Sequence, residues 1–245
     1  MRYYRLLTLL PPLPSSPQRL PVPLSALLAD IREELSGPAW ELVLLLLLRG
    51  RVEAREAELR DREHSAGAAL PPRELPLVER DEQELLEQYP FLRDPAPGDE
   101  LVTSSTLPEQ IALLWRQYFL RLAEEAERRG SRFLLEYAAW ETSLAIGLAR
   151  QRGLRLGRAV EDELPPPPFP EVAVAALLGQ LAEQPDPLAR ERLLDAARLQ
   201  VIDDLAGADP FSLDAVLAYV AAAVVLDRWD LPEQVDLAKL LEEFP

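Results

Sequence analysis

From Pro108 onward, apolar residues recur at helical spacing. Ile111, Leu114, Tyr118 and Leu122 lie on one stripe, with Glu124, Glu125 and Arg128 on other faces. The spacing predicts a helix that Gly130-Ser131 breaks. The next helix carries Phe133, Tyr137, Trp140, Leu144 and Leu148 on one stripe and stops near Gly153. Further helices are expected at Glu171 to Glu183, Pro187 to Ala206, Leu213 to Trp229 and Pro232 to Glu243. Upstream, Ser25 is a candidate N-cap for a helix through Leu35, which Gly37-Pro38 ends. A second helix from about Ala39 through Arg62 is apolar early and charged late. Regular alternation is absent beyond MRYYRLLTLL, which reads as a short strand or an extended arm, because the prolines after it stop a helix.

Proline marks the connectors. Pro11 to Pro23 and Pro165 to Pro168 read as extended or polyproline linkers, and Ser65 to Ser105 is broken by Pro and Gly around one short helix at Asp81 to Tyr89. The expected fold is all-α, a helical bundle built from repeated helical hairpins with a proline-rich N-terminal segment. Residues 1–105 form the N-terminal hairpin with its connectors, 106–164 a central pair of long helices, and 165–245 a C-terminal bundle. These are separate units or one continuous domain. The repeat rests on an internal echo, in which EELSGPAW (Glu33 to Trp40) resembles DDLAGADPF (Asp203 to Phe211). Each copy reads as a helix, a Gly C-cap, a tight turn and a strongly apolar second helix.

Within the second of these hairpins, twelve consecutive apolar residues run from Ala215 to Leu226. As a helix they cover about 18 Å, short of the roughly 30 Å hydrocarbon core, so they do not read as a membrane span. Pro11, Pro12 and Pro14 interrupt the apolar start before a signal-peptide h-region forms. A soluble chain is expected. A helix apolar on every side must be surrounded, by its own chain or by a partner. The first reading makes Ala215 to Leu226 the central helix of the C-terminal bundle.

The charge adds a partner preference. The formal net charge of the 245 residues is −16, which argues against nucleic acid. Ile111 to Arg158 nevertheless holds nine Arg against five Glu, a net of +4, leaving −20 on the remainder. Arg150, Arg152, Arg155 and Arg158 thus suggest a docking surface for an acidic partner, or simply cations placed at a helix C-terminus. Trp115 and Phe119 widen the apolar stripe beyond one face and leave room for a partner groove, although aromatics at helical spacing are usually core.

Catalytic chemistry is hard to build from these residues. The chain has no Cys and one His, His64, in the charged run RDREHSAG, so a zinc site lacks ligands. No Walker loop, dinucleotide fingerprint or Gly-x-Ser-x-Gly is present. The adjacent acid pairs at Glu33, Glu124 and Asp203 point about 100° apart and do not converge. Glu136 and Glu141, on the aromatic-rich helix, are better candidates for a buried acid, with an ion pair to Arg the simpler account. No enzyme activity, cofactor, metal or small-molecule substrate is expected.

Three segments carry a resemblance: Tyr3-Tyr4 with its apolar run and Pro11, the Trp140-Glu141 helix leading to Arg150-Gln151-Arg152-Gly153-Leu154, and Phe211-Ser212-Leu213-Asp214 through Asp227-Arg228-Trp229. In this order they resemble a bacterial family of uncharacterised proteins associated with V/A-type rotary ATPases. That family is a shortened relative of the all-helical central-stalk component that caps the membrane rotor ring in V-type ATPases. The chain departs from the pattern at Ser143 and Ala145, where Asn and Arg are expected. The resemblance implies an all-helical, non-catalytic coupling subunit, cytoplasmic and peripheral to the inner membrane, linking the central shaft to the membrane rotor ring. On it, Trp115, Phe119, Arg150, Arg152, Arg155 and Arg158 are the partner-binding candidates. The alternative is a free-standing helical interaction adaptor unrelated to ATPases.

Overall fold

The computed structural model describes residues 3–64, 89, 106–155, 157 and 172–229. Among them are eight helices and no strand: α1 (Tyr4–Leu9), α2 (Leu24–Glu34), α3 (Gly37–His64), α4 (Leu107–Arg129), α5 (Arg132–Arg155), α6 (Ala175–Glu183), α7 (Pro187–Leu205) and α8 (Leu213–Asp227). The all-α expectation holds. The short helix expected at Asp81 to Tyr89, the linker at Pro165 to Pro168 and the helix at Pro232 to Glu243 lie outside the described residues.

The helix ends follow local chemistry. Thr106 and Glu109 close a capping box at the start of α4, with Pro108 in its first turn. Gly130 ends α4 in the left-handed region at φ 69°, and the Ser131 N–H reaches back to the Ala126 carbonyl at 2.9 Å. Asp186 caps α7 by accepting from the Leu188 and Ala189 N–H groups, and Ser212 caps α8 by accepting from Ala215.

Three sequence expectations fail at the N-terminal end. Tyr4–Leu9 is a helix, not a strand or an extended arm. It docks through buried Tyr3 and Leu6, and the Tyr4 ring lies 4.8 Å from that of Phe211. With no strand to pair with, helical bonds satisfy this backbone, and Pro11 comes only after α1 has ended at Leu10. Ser25 lies inside α2, whose N-cap position is Pro23 with no side-chain bond. Gly37-Pro38 does not cap α2 but opens α3.

The last point bears on the repeat. Gly207 follows α7 with φ 85°, whereas Gly37 is the first residue of a helix and lacks a positive φ. The two echoed segments therefore make different turns. Both do lead into a buried apolar helix, but a shared Gly C-cap is not what they have in common.

The apolar run at 215–226 is enclosed by its own chain. It lies within α8, which packs on α2, α3, α5 and α7, and Val216, Leu217, Val220 and Leu226 are fully buried. Each such side chain contributes about 1.5–3 kcal/mol relative to exposure. The main core draws on α1 to α5, α7 and α8, so all three expected segments feed it. A smaller cluster of Trp140, Leu144, Leu181 and Leu194 joins α5, α6 and α7. Among the described residues, no helix is long and apolar enough to cross a membrane.

Candidate functional site

Where the core of α3, α5, α7 and α8 converges, it is charged. Glu141, on the inner face of α5, is only 3% exposed. Its Oε1 receives three groups: the Tyr137 hydroxyl at 3.0 Å, Arg198 Nε from α7 at 2.9 Å, and Arg49 Nη1 from α3 at 2.8 Å. Arg198 also donates from Nη1 to Asp195 at 2.7 Å. Asp195 has no exposed surface, and it accepts in addition from Arg228 Nη1 and Trp229 Nε1, both at 3.0 Å, just past the end of α8. Arg49 Nε donates to Glu53 at 3.0 Å, and Arg228 reaches Glu191 at 3.1 Å. The result is one chain of alternating charges from Glu53 through Arg49, Glu141, Arg198, Asp195 and Arg228 to Glu191.

The electrostatics fix the protonation states. Burial alone would raise the Glu141 carboxyl, but the Arg198 and Arg49 cations outweigh it and hold the carboxyl at about 2, against an ordinary 4.5. Burial pushes the Tyr118 and Tyr137 hydroxyls up, so both stay neutral. Burial also works against the charge on Arg49, yet Glu141 beside it raises its basicity overall. At neutral pH Glu141 is a permanent anion, unsuited to exchanging protons with a substrate. Its evident physical effect is to tie three helices together.

Beside this network lies a cavity of about 260 Å³. Arg49, Arg198, Tyr118 and Tyr137 line its polar side, and α2, α3 and α8 supply Leu24, Leu46, Val224 and Val225. Glu53 and Arg228 stand at its more exposed parts. Among the described residues, no cluster of His, Asp and Glu is arranged to hold a metal ion.

The structure separates the partner-binding candidates into two groups. Phe119 is 4% exposed and packed in the main core, stacked on Trp115 at 5.8 Å. Trp115 is half-buried, its indole N–H bonded to Glu56 at 2.7 Å and its ring under Arg49. Phe119 thus faces its own chain and forms no partner groove. Arg150, Arg152 and Arg155 are exposed in the last turns of α5, and Leu154 among them is 80% exposed. Arg158 lies outside the described residues.

Of the two acids singled out on α5, Glu136 is a half-buried partner of Arg132 at 2.6 Å, and Glu141 is the buried one. Sequence reasoning missed Arg49, Asp195 and Arg198. A signal for Arg49 was present: it follows directly on the apolar run Leu42 to Leu48. Asp195 and Arg198 sit in α7 among other charges and carry no such mark. Compared with protein-family models, curated proteins and solved structures, the chain matches none.

Proposed function

We propose that this chain is a non-catalytic coupling subunit of a V/A-type rotary ATPase, linking the central shaft to the membrane rotor ring. The observation that carries the reading is the end of α5. There exposed Arg150, Arg152 and Arg155 share the last turns of the helix with an 80% exposed Leu154, on a chain of net charge −16. A basic, partly apolar knob on an acidic body favours an acidic partner and opposes self-association through the body. The partner-binding role accordingly moves to this knob and away from Phe119.

The braced interior supports the same reading. α5 carries the knob at one end and, two to four turns back, Glu141 clamped between α3 and α7. Force applied at the knob is delivered to a helix that is ion-paired to its neighbours, as a coupling element requires. The resemblance of the three sequence segments supplies the identity of the partner, and placement at the cytoplasmic face of the membrane follows from it.

The test is affinity purification of the tagged protein from its native host in mild detergent, with mass spectrometry of what co-purifies. Shaft and ring subunits are expected. The variant Arg150→Glu/Arg152→Glu/Arg155→Glu should fold normally and lose them. Capture of other partners with no shaft or ring subunit would replace the coupling role with a free-standing adaptor. Full retention by the charge-reversed variant would remove the knob as the contact.

A further inference from the structure

The cavity beside the charge network presents hydrogen-bond donors that no protein acceptor meets. A guanidinium carries five N–H groups in a fixed fork. Arg49 directs Nε to Glu53 and Nη1 to Glu141, while Arg198 directs Nε to Glu141 and Nη1 to Asp195. Among the described residues, the Nη2 of neither arginine meets a protein acceptor. The Tyr118 hydroxyl also lines the cavity without a protein partner, on a side chain that is almost wholly buried. These donors open onto the cavity instead of being sealed in the core, so water or an acceptor from outside the chain can meet them there.

The remaining walls limit what that acceptor can be attached to. Leu24, Leu46, Val224 and Val225 add apolar surface to the same cavity. The volume of about 260 Å³ is many times one water's share of about 30 Å³ and close to the lower end of small-molecule sites. Charge narrows the choice further. Arg49 and Arg198 are already balanced by Glu141 and Asp195, with Glu53 and Asp227 also at hand. A multiply charged phosphate would be repelled by these acids. A single carboxylate, sharing the free Nη2 groups and the Tyr118 hydroxyl, meets a smaller repulsion, which charge-assisted hydrogen bonds offset.

We propose that the cavity between α2, α3 and α8 binds a small amphipathic carboxylate. Its apolar chain lies against Leu24, Leu46, Val224 and Val225, and its carboxylate meets Arg49, Arg198 and Tyr118. The site goes beyond the coupling role and does not rest on it. It would make the junction of α3, α5 and α8 responsive to a metabolite, because the ligand would bridge helices that the charge network already joins.

The experiment titrates the full chain with octanoate, octanol and octylamine by isothermal calorimetry. Octanoate should bind at least tenfold more tightly than octanol, and octylamine should not bind. Tyr118→Phe, which keeps the ring and its packing, should weaken octanoate about tenfold, as loss of one hydrogen bond to a charged group implies. Ala221→Phe, which fills the cavity, should abolish binding. If that variant does not fold, the probe ranking and Tyr118→Phe decide alone. No heat with octanoate, equal affinities for octanoate and octanol, or undiminished octanoate binding in Tyr118→Phe would each overturn the proposal.

Discussion

Replacing Glu141 with Gln tests the central claim about what holds this bundle together. The substitution keeps the shape of the side chain and removes its charge. It leaves Arg198 with Asp195 at 2.7 Å, and Arg49 with only Glu53 at 3.0 Å, whose side chain is largely in water. Removing one partner from a buried ion pair typically costs about 3–5 kcal/mol, because the other charge stays buried and uncompensated. Against a total stability of about 5–15 kcal/mol, that is a large fraction. For a chain of this size it corresponds to a fall in Tm of roughly 6–20 °C. Urea unfolding should show the midpoint moving with the slope unchanged.

A pH series supplies an independent check. The folded carboxyl titrates at about 2, against an ordinary 4.5, so its folded-state value is depressed. The stabilisation is therefore fully present above the unfolded value and is lost as pH falls toward the folded one. Wild type should lose its advantage over Glu141→Gln between roughly pH 5 and pH 2. A loss of stability below about 1 kcal/mol at neutral pH, or a gap that persists unchanged at pH 2, would refute the buried-pair argument.

Two further variants probe how the helices are joined. Asp214 of α8 accepts from Ser131 Oγ at 2.6 Å and from the Phe133 N–H at 3.3 Å, so it caps α5 from another helix. Asp214→Ala should cost about 1–2 kcal/mol in chemical denaturation, in the upper range of a lost N-cap. At Gly147 an added Cβ would collide with Cδ1 of Leu178 on α6. Gly147→Val should therefore cost about 1–3 kcal/mol by overpacking, and hydrogen exchange should show α6 amides exchanging faster while those of α8 stay protected.

The helices themselves were legible because their signals are local. The stripe Ile111 to Leu122 and the break at Gly130 involve residues within a few positions of one another. Where the outcome depended on distant chain, sequence reading went astray. Tyr4–Leu9 is helical because its apolar face docks near Phe211, about two hundred residues away along the chain. Similarly, Gly37 and Gly207 sit in matching strings, yet only Gly207 takes a left-handed turn.

The same division runs through the site. Sequence alone marked Glu136 and Glu141 together as acids on an aromatic-rich helix and named Arg as the natural partner, since a buried carboxylate must be neutralised; only packing showed that Glu141 is the buried one. It also placed the arginines at the end of α5, where their exposure follows from charge. Which arginines reach Glu141 was decided by tertiary structure, because Arg49 lies 92 positions before it and Arg198 lies 57 after it. Likewise, the burial of Phe119 and the cavity at Tyr118 depend on how α3, α4 and α8 meet. Periodicity says that a helix has an apolar face, but only packing determines whether the chain itself covers that face and what space remains when it does.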